Sequence, residues 1–208
     1  MDETILVIRR EALLGTGTFT GIQSDWRPFL NQLERHAFLA SRQEAERRTD
    51  WKQPITYILI TQDHEVFTTI RSQEGIEERL HNRVSIGIGG HLRPHAAMEE
   101  DFRATLADNS YRELTEELRF APPLGFSQMT RQLEPIGVLN DDRDEVGQCH
   151  FGLVLRLQLE PGVSVTVRET DLLRGAFKNL SEMPPIDRME SWSRFCLRLL
   201  EQEWNRAQ

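Results

Sequence analysis

Residues 112–118 read Arg-Glu-Leu-Thr-Glu-Glu-Leu, and three of the seven are carboxylates at spacings a helix would gather. Glu113, Glu116 and Glu117 stand at i, i+3 and i+4, which are neighbours on a helix surface. Like charges held together repel unless a cation sits among them. Hard divalent ions such as Mg²⁺ take oxygen ligands of this kind, so the chemistry within reach is metal-assisted. A plainer origin is also available, because glutamate favours helices and charge runs solvate exposed faces. The restrictive order Arg-Glu-apolar-x-Glu-Glu, led by Arg112, argues for a site.

A helix must carry these acids. Ala107, Tyr111, Leu114 and Leu118 recur at i, i+4, i+7 and i+11, which predicts a buried stripe with the carboxylates turned away from it. The helix is expected to begin near Glu99-Glu100-Asp101 and to end before Pro122-Pro123, which cannot continue it. Upstream, residues 55–61 form a β-branched and aromatic run that reads as a buried strand. Asp63-His64 turns into a partner strand over 66–70, and a third strand over 84–88 enters Gly89-Gly90. Adjacent glycines let the backbone make close approaches and adopt angles that other residues avoid.

Downstream, strands are expected over 134–140 and 148–159, separated by the acidic loop Asp141-Asp142-Arg143-Asp144-Glu145, with another over 163–167. An amphipathic helix over 187–204 closes the chain, with Met189, Trp192, Cys196 and Leu199 on one face. The first fifty residues read as a strand over 5–8, a Gly/Thr turn and a helix over 28–47. These would be an N-terminal extension (1–50) packed on a main domain (51–208). Strands and helices mix without a βαβαβ rhythm, so the expected class is α/β: an α/β/α sandwich around a mixed β-sheet.

The 208 residues carry a net charge of −8, with no basic block to make a nucleic-acid surface. No apolar run approaches a membrane span, and Met1-Asp2-Glu3 lacks the start of a signal peptide. Two cysteines, Cys149 and Cys196, are too few for a disulfide framework. A cytoplasmic protein is expected, with neither nucleic acid nor membrane as partner. Lys52 and Lys178 are the only lysines, so arginine supplies nearly all the positive charge. Its donor fork suits phosphate, although genomic base composition explains the bias as well.

Gly89-Gly90, a loop, and a helix bearing Arg112 to Glu117 together resemble the Nudix box of the Nudix hydrolase superfamily. The resemblance covers roughly residues 53–180. Two departures stand out. Twenty-one residues separate Gly90 from Arg112, eight more than the family pattern has, so its first glutamate has three candidates: Glu99, Glu100 and Asp101. Arg119 also replaces the glycine that usually ends the helix, while Phe120 fills the following apolar position. Gly89-Gly90-His91 fits a bacterial subgroup with an extended loop.

The resemblance implies a Mg²⁺- or Mn²⁺-dependent hydrolase that cleaves the pyrophosphate bond of a nucleoside diphosphate linked to another group. It implies Glu113, Glu116 and Glu117 as metal ligands, the Gly90 carbonyl as a further one, and Arg112 as the residue that orients Glu113. Arg71, Arg79 and His91 are candidates for substrate contact. The general base is Glu113 or one of Asp141, Asp142, Asp144 and Glu145. His150, beside that loop, is read as hydrogen-bonded scaffolding before substrate contact. The resemblance also allows a homodimer, with the extension as a candidate contact. Trp26, Trp51 and Trp192 could stack on a base or belong to the core.

The alternative to turnover is a non-hydrolytic, Nudix-like ligand-binding or regulatory module. An isoprenoid-diphosphate isomerase would need a cysteine acid/base, and nothing near Cys149 or Cys196 resembles one. A DNA-binding regulator would need a basic recognition helix, and none is evident.

Overall fold

The computed structural model describes residues 2–71, 83–94, 102–168 and 173–206. In chain order the first half contains β1 (Thr4–Arg9), α1 (Arg10–Leu14), β2 (Gly21–Gln23), α2 (Arg27–His36), β3 (Phe38–Ser41), α3 (Arg42–Ala45), β4 (Trp51–Gln62), β5 (Glu65–Arg71), β6 (Val84–Ser85) and β7 (Ile88–His91). The second half contains α4 (Phe102–Glu117), β8 (Leu118–Ala121), α5 (Phe126–Gln132), β9 (Leu133–Asn140), α6 (Glu145–Cys149), β10 (His150–Gln158), β11 (Ser164–Val167), β12 (Leu173–Asn179) and α7 (Ser191–Arg206). Among the described residues no helix is long and apolar enough to cross a membrane.

The chain divides into two compact units interleaved along the sequence. The first gathers Met1–Tyr57, Gly89–Arg112 and Pro135–Leu155. In it β1 pairs antiparallel with both β3 and β4, and β2 pairs with β9. Ile5, Val7 and Ala45 form a buried nucleus covered by Phe38, Ala40 and Trp51. Phe38 meets Trp51 edge to face at 5.1 Å.

The expected helix over 28–47 is here three elements. Helix α2 stops at His36, and β3 follows with Phe38 and Ala40 turned inward and Leu39 outward. That alternation has strand period and lets residues 38–41 hydrogen-bond to β1. Ser41 then caps α3 by accepting from the Glu44 amide at 3.2 Å. The helical pattern read over 28–47 did not reveal that a neighbouring strand would capture residues 38–41.

The second unit gathers Ile58–Ile88, Glu113–Glu134 and Arg156–Gln208. The expected hairpin is present, with Thr61 opposite Val66 and Gln62 opposite Glu65. Asp63 takes the left-handed conformation (φ 51°) that so tight a turn demands. β5 also pairs with β12, placing Phe67 against Phe177. The strand expected over 84–88 is interrupted. At Ile86 the backbone amide donates to Ser193 Oγ on α7 (3.1 Å) rather than to a strand. Ser193, Cys196, Leu197 and Leu200 make up the buried face of α7; of the expected stripe Met189 and Cys196 are buried, while Ser193 and Leu200 take the places expected of Trp192 and Leu199.

Candidate functional site

Helix α4 carries the acids, and its buried face follows the expected stripe only at Leu114 and, just beyond the helix, Leu118. Phe102, Leu106, Asn109, Ser110, Glu113 and Leu114 are buried, while Ala107 and Tyr111 are only half-buried. This face is partly polar, which is why apolar periodicity misplaced it. Glu113 consequently lies on the buried side with 8% of its surface exposed, Glu117 is half-buried and Glu116 is exposed. The expectation that all three turn away from the core is corrected by this placement.

The helix ends at Glu117, sooner than the prolines required, and the chain passes directly into β8. Its end is closed from outside. The Arg168 amide donates to the Glu117 carbonyl (2.8 Å) and its Nε to the Leu118 carbonyl (2.9 Å). Leu118 pairs with Val167 in the β8–β11 ladder, and Phe120 is buried. A strand partner thus meets the carbonyls that the family's glycine turn would otherwise serve, and Arg119 is tolerated.

The polar face of α4 holds the glycine segment. Asn109 Oδ1 accepts from the Arg93 amide (2.9 Å) and Nδ2 donates to the Arg93 carbonyl (3.0 Å). Arg112 Nη2 donates to the His91 carbonyl and to Asn109 Oδ1, each at 3.1 Å. Gly89 runs so close to β4 that an added Cβ would strike the Thr56 carbonyl. The Gly90 carbonyl accepts from the Thr56 hydroxyl at 3.3 Å. Asn109 was not singled out from sequence, although its i, i+3 spacing to Arg112 was a usable signal.

His91 presents its backbone carbonyl to Arg112 while its ring turns to Gln53 and His150. His91 Nε2 lies 2.8 Å from Gln53 Oε1 and 3.3 Å from His150 Nε2. Burial, with Arg42 and His150 adding to it, pushes the His91 imidazole down to about 3, so the ring is neutral. Burial lowers His150 as well. Its Nδ1 lies 2.6 Å from the Val146 carbonyl and donates to it, as the scaffolding reading expected.

The acidic loop is already occupied. Asp142 accepts from Arg10 (2.6 Å), Lys52 (2.6 Å) and Thr18 (2.7 Å). Desolvation acts to raise its carboxyl, but these bonds win and hold it well below the usual carboxylate range. Asp141 binds Arg143 at 2.6 Å, and Asp144 caps α6 by accepting from the Gly147 amide at 2.7 Å. Glu145, exposed, opens that helix. Lys52 is wholly buried and spends its remaining donors on the carbonyls of Gly147 (2.8 Å) and His150 (3.0 Å). As one of two lysines in an arginine-rich chain it was conspicuous, but nothing in the sequence showed it to be interior.

Arg71 ends β5 opposite Leu173. Arg79 and the candidates for the first box glutamate, Glu99, Glu100 and Asp101, lie outside the described residues. Trp26, Trp51 and Trp192 are all half-buried. As a donor set, three carboxylates on adjacent helical turns fit a hard divalent ion. Among the described residues, however, no three His, Cys, Asp or Glu side chains come together as a ready-made metal group.

No family model matches the sequence. The chain is 36% identical to protein YmaB of Bacillus subtilis (strain 168) over 211 residues, covering 97% of this chain and 98% of that protein. The crystal structure of Tm1382, assigned to the Nudix hydrolases, matches with a TM-score of 0.75 at 29% identity, over 97% of this chain and 100% of that one. A bifunctional NMN adenylyltransferase/ADP ribose pyrophosphatase of Francisella tularensis, solved with AMP and a manganese ion, matches with a TM-score of 0.53 at 16% identity. That match spans 73% of this chain and 42% of the other, and is a likeness of fold. The expected α/β/α sandwich around a mixed β-sheet is thus the fold found.

Proposed function

The chain belongs to the Nudix hydrolase superfamily, whose general activity is hydrolysis of a pyrophosphate bond, and from that premise we propose that it is a Mg²⁺-dependent hydrolase of a nucleoside diphosphate linked to another moiety. The observation that carries this reading is Arg112-Glu113-Leu114-Thr115-Glu116-Glu117 on one well-anchored helix. Glu113, Glu116 and Glu117 are the residues that would hold the ion. When bound, a divalent cation neutralises charge on the diphosphate and makes water a better nucleophile.

Arg112 serves as a positioning residue, its guanidinium on the His91 carbonyl and on Asn109. The general base is Glu113 or one of the acids of the following loop, of which Asp141, Asp142 and Asp144 also hold an arginine, a lysine-arginine pair and a helix cap. Substrate recognition by Arg71 rests on residue type alone.

A screen of nucleoside diphosphate derivatives with and without Mg²⁺, followed by Glu116→Gln and Glu117→Gln, tests the assignment. Metal-dependent phosphate release should fall by about a hundredfold or more in each variant, since residues one shell beyond a metal already cost 10–100-fold. Wild-type turnover in both variants would contradict it.

A further inference from the structure

We propose that His91, His150 and Gln53 form a binding site for a transition-metal ion of the zinc class, chemically distinct from the carboxylates of α4. The two Nε2 atoms face each other at 3.3 Å, with ring centroids 5.3 Å apart. Two imidazole nitrogens on one tetrahedral ion, each bonded at about 2.0–2.1 Å, stand roughly 3.3–3.4 Å apart. The pair therefore already holds the separation of two ligands.

His150 is prepared for this role. Its Nδ1 donates to the Val146 carbonyl (2.6 Å), which leaves Nε2 as the bare nitrogen aimed at His91. Histidines that ligate metals have their other ring nitrogen fixed in this way. The backbone beneath it is fixed too, because Lys52 holds the His150 carbonyl at 3.0 Å. Gln53 Oε1, now at hydrogen-bond distance from His91 Nε2 (2.8 Å), would become the third donor on moving back by about 0.5 Å to ligand separation.

Gln53 is entirely buried, which holds its Oε1 beside His91 Nε2. If the ion takes both imidazoles, the His91 proton shifts to Nδ1, and Gln53 Oε1 turns from hydrogen-bond acceptor to ligand. Lys52, beside His150, is paired with Asp142 and gives its other donors to backbone carbonyls. Arg42 pairs with Glu3 and Glu46, and Arg93 pairs with Glu3, so their charge is already matched. Imidazole and amide donors favour Zn²⁺, Co²⁺ or Ni²⁺ over Mg²⁺, and three protein ligands leave a fourth position for water.

The test is a Co²⁺ titration of the metal-free full-length chain, read by visible absorption. Tetrahedral-type bands should saturate near one equivalent and be displaced by Zn²⁺. His91→Gln and His150→Gln should each weaken binding by about tenfold or more, while Glu116→Gln leaves the bands in place. Should a histidine variant fail to fold, the wild type decides alone. In long-range proton–nitrogen spectra, Zn²⁺ should then move the Nε2 signals of two of the six histidines. Absent bands, bands that survive both histidine replacements, bands lost with Glu116→Gln, or unmoved histidine nitrogens would each overturn the site. These readouts follow imidazole rather than phosphate release, so their outcome is separate from that of the hydrolase reading.

Discussion

Lys52 and Asp142 show how much a single pair of residues can hold. A wholly buried ammonium is tolerable only when each of its three donors is used, and here one carboxylate and two carbonyls use them. Removing one partner of a buried pair strands the other, which typically costs about 3–5 kcal/mol. Asp142→Asn is expected near the lower end, about 3 kcal/mol by urea unfolding, because Asp142 is partly exposed. Lys52→Met should cost less, because Asp142 keeps Arg10. The pH dependence follows in sign. The folded carboxyl titrates below its unfolded value of about 3.9. Its stabilisation is therefore complete above about pH 5 and is lost as pH falls through the folded value. The wild type should lose stability over that acid range more steeply than Asp142→Asn. At this scale the sequence was legible where type and spacing were unusual together, as at Arg112 to Glu117. It was silent about Gln53 and Arg168, whose importance comes from partners distant in the chain or from backbone groups.

Elements were legible when one local force dominated. The β4–β5 hairpin followed from a β-branched run broken by Asp63-His64, and the C-terminal helix from apolar spacing. Boundaries moved wherever a partner overrode local preference. Strand β3 was drawn from the end of a helical pattern, Ser193 interrupted the third expected strand, and Arg168 with β11 ended α4 early. Strands β2 and β12 owe their existence to neighbours (β9 and β5) and left no signal of their own. Two predictions belong here. Gly89→Ala must displace β7 from Thr56 and should cost about 2 kcal/mol or more. Gly17→Ala, whose Cβ would lie 3.8 Å from the Leu14 carbonyl, should stay within about 0.5 kcal/mol. Chemical denaturation of the two variants side by side checks the contrast. Arg168→Ala removes a charged donor from the end of α4 and should cost about 1–2 kcal/mol in the same assay.

At the scale of the whole molecule, class and family were readable because the box preserves its dense half, and likeness to Tm1382 extends over nearly the entire chain. The interleaved units were not readable, since each is assembled from three separated stretches of sequence. What the molecule must do, on this account, is bring a divalent cation to a diphosphate through the acids of α4. The direct measurement is Mn²⁺ binding, followed by loss of the free-ion paramagnetic resonance signal, in the wild type and in Glu116→Gln and Glu117→Gln, with a non-hydrolysable nucleoside diphosphate analogue present. The account predicts saturable binding by the wild type, weakened about tenfold or more in each variant while the circular dichroism spectrum is unchanged. Equal Mn²⁺ binding by all three proteins would contradict it.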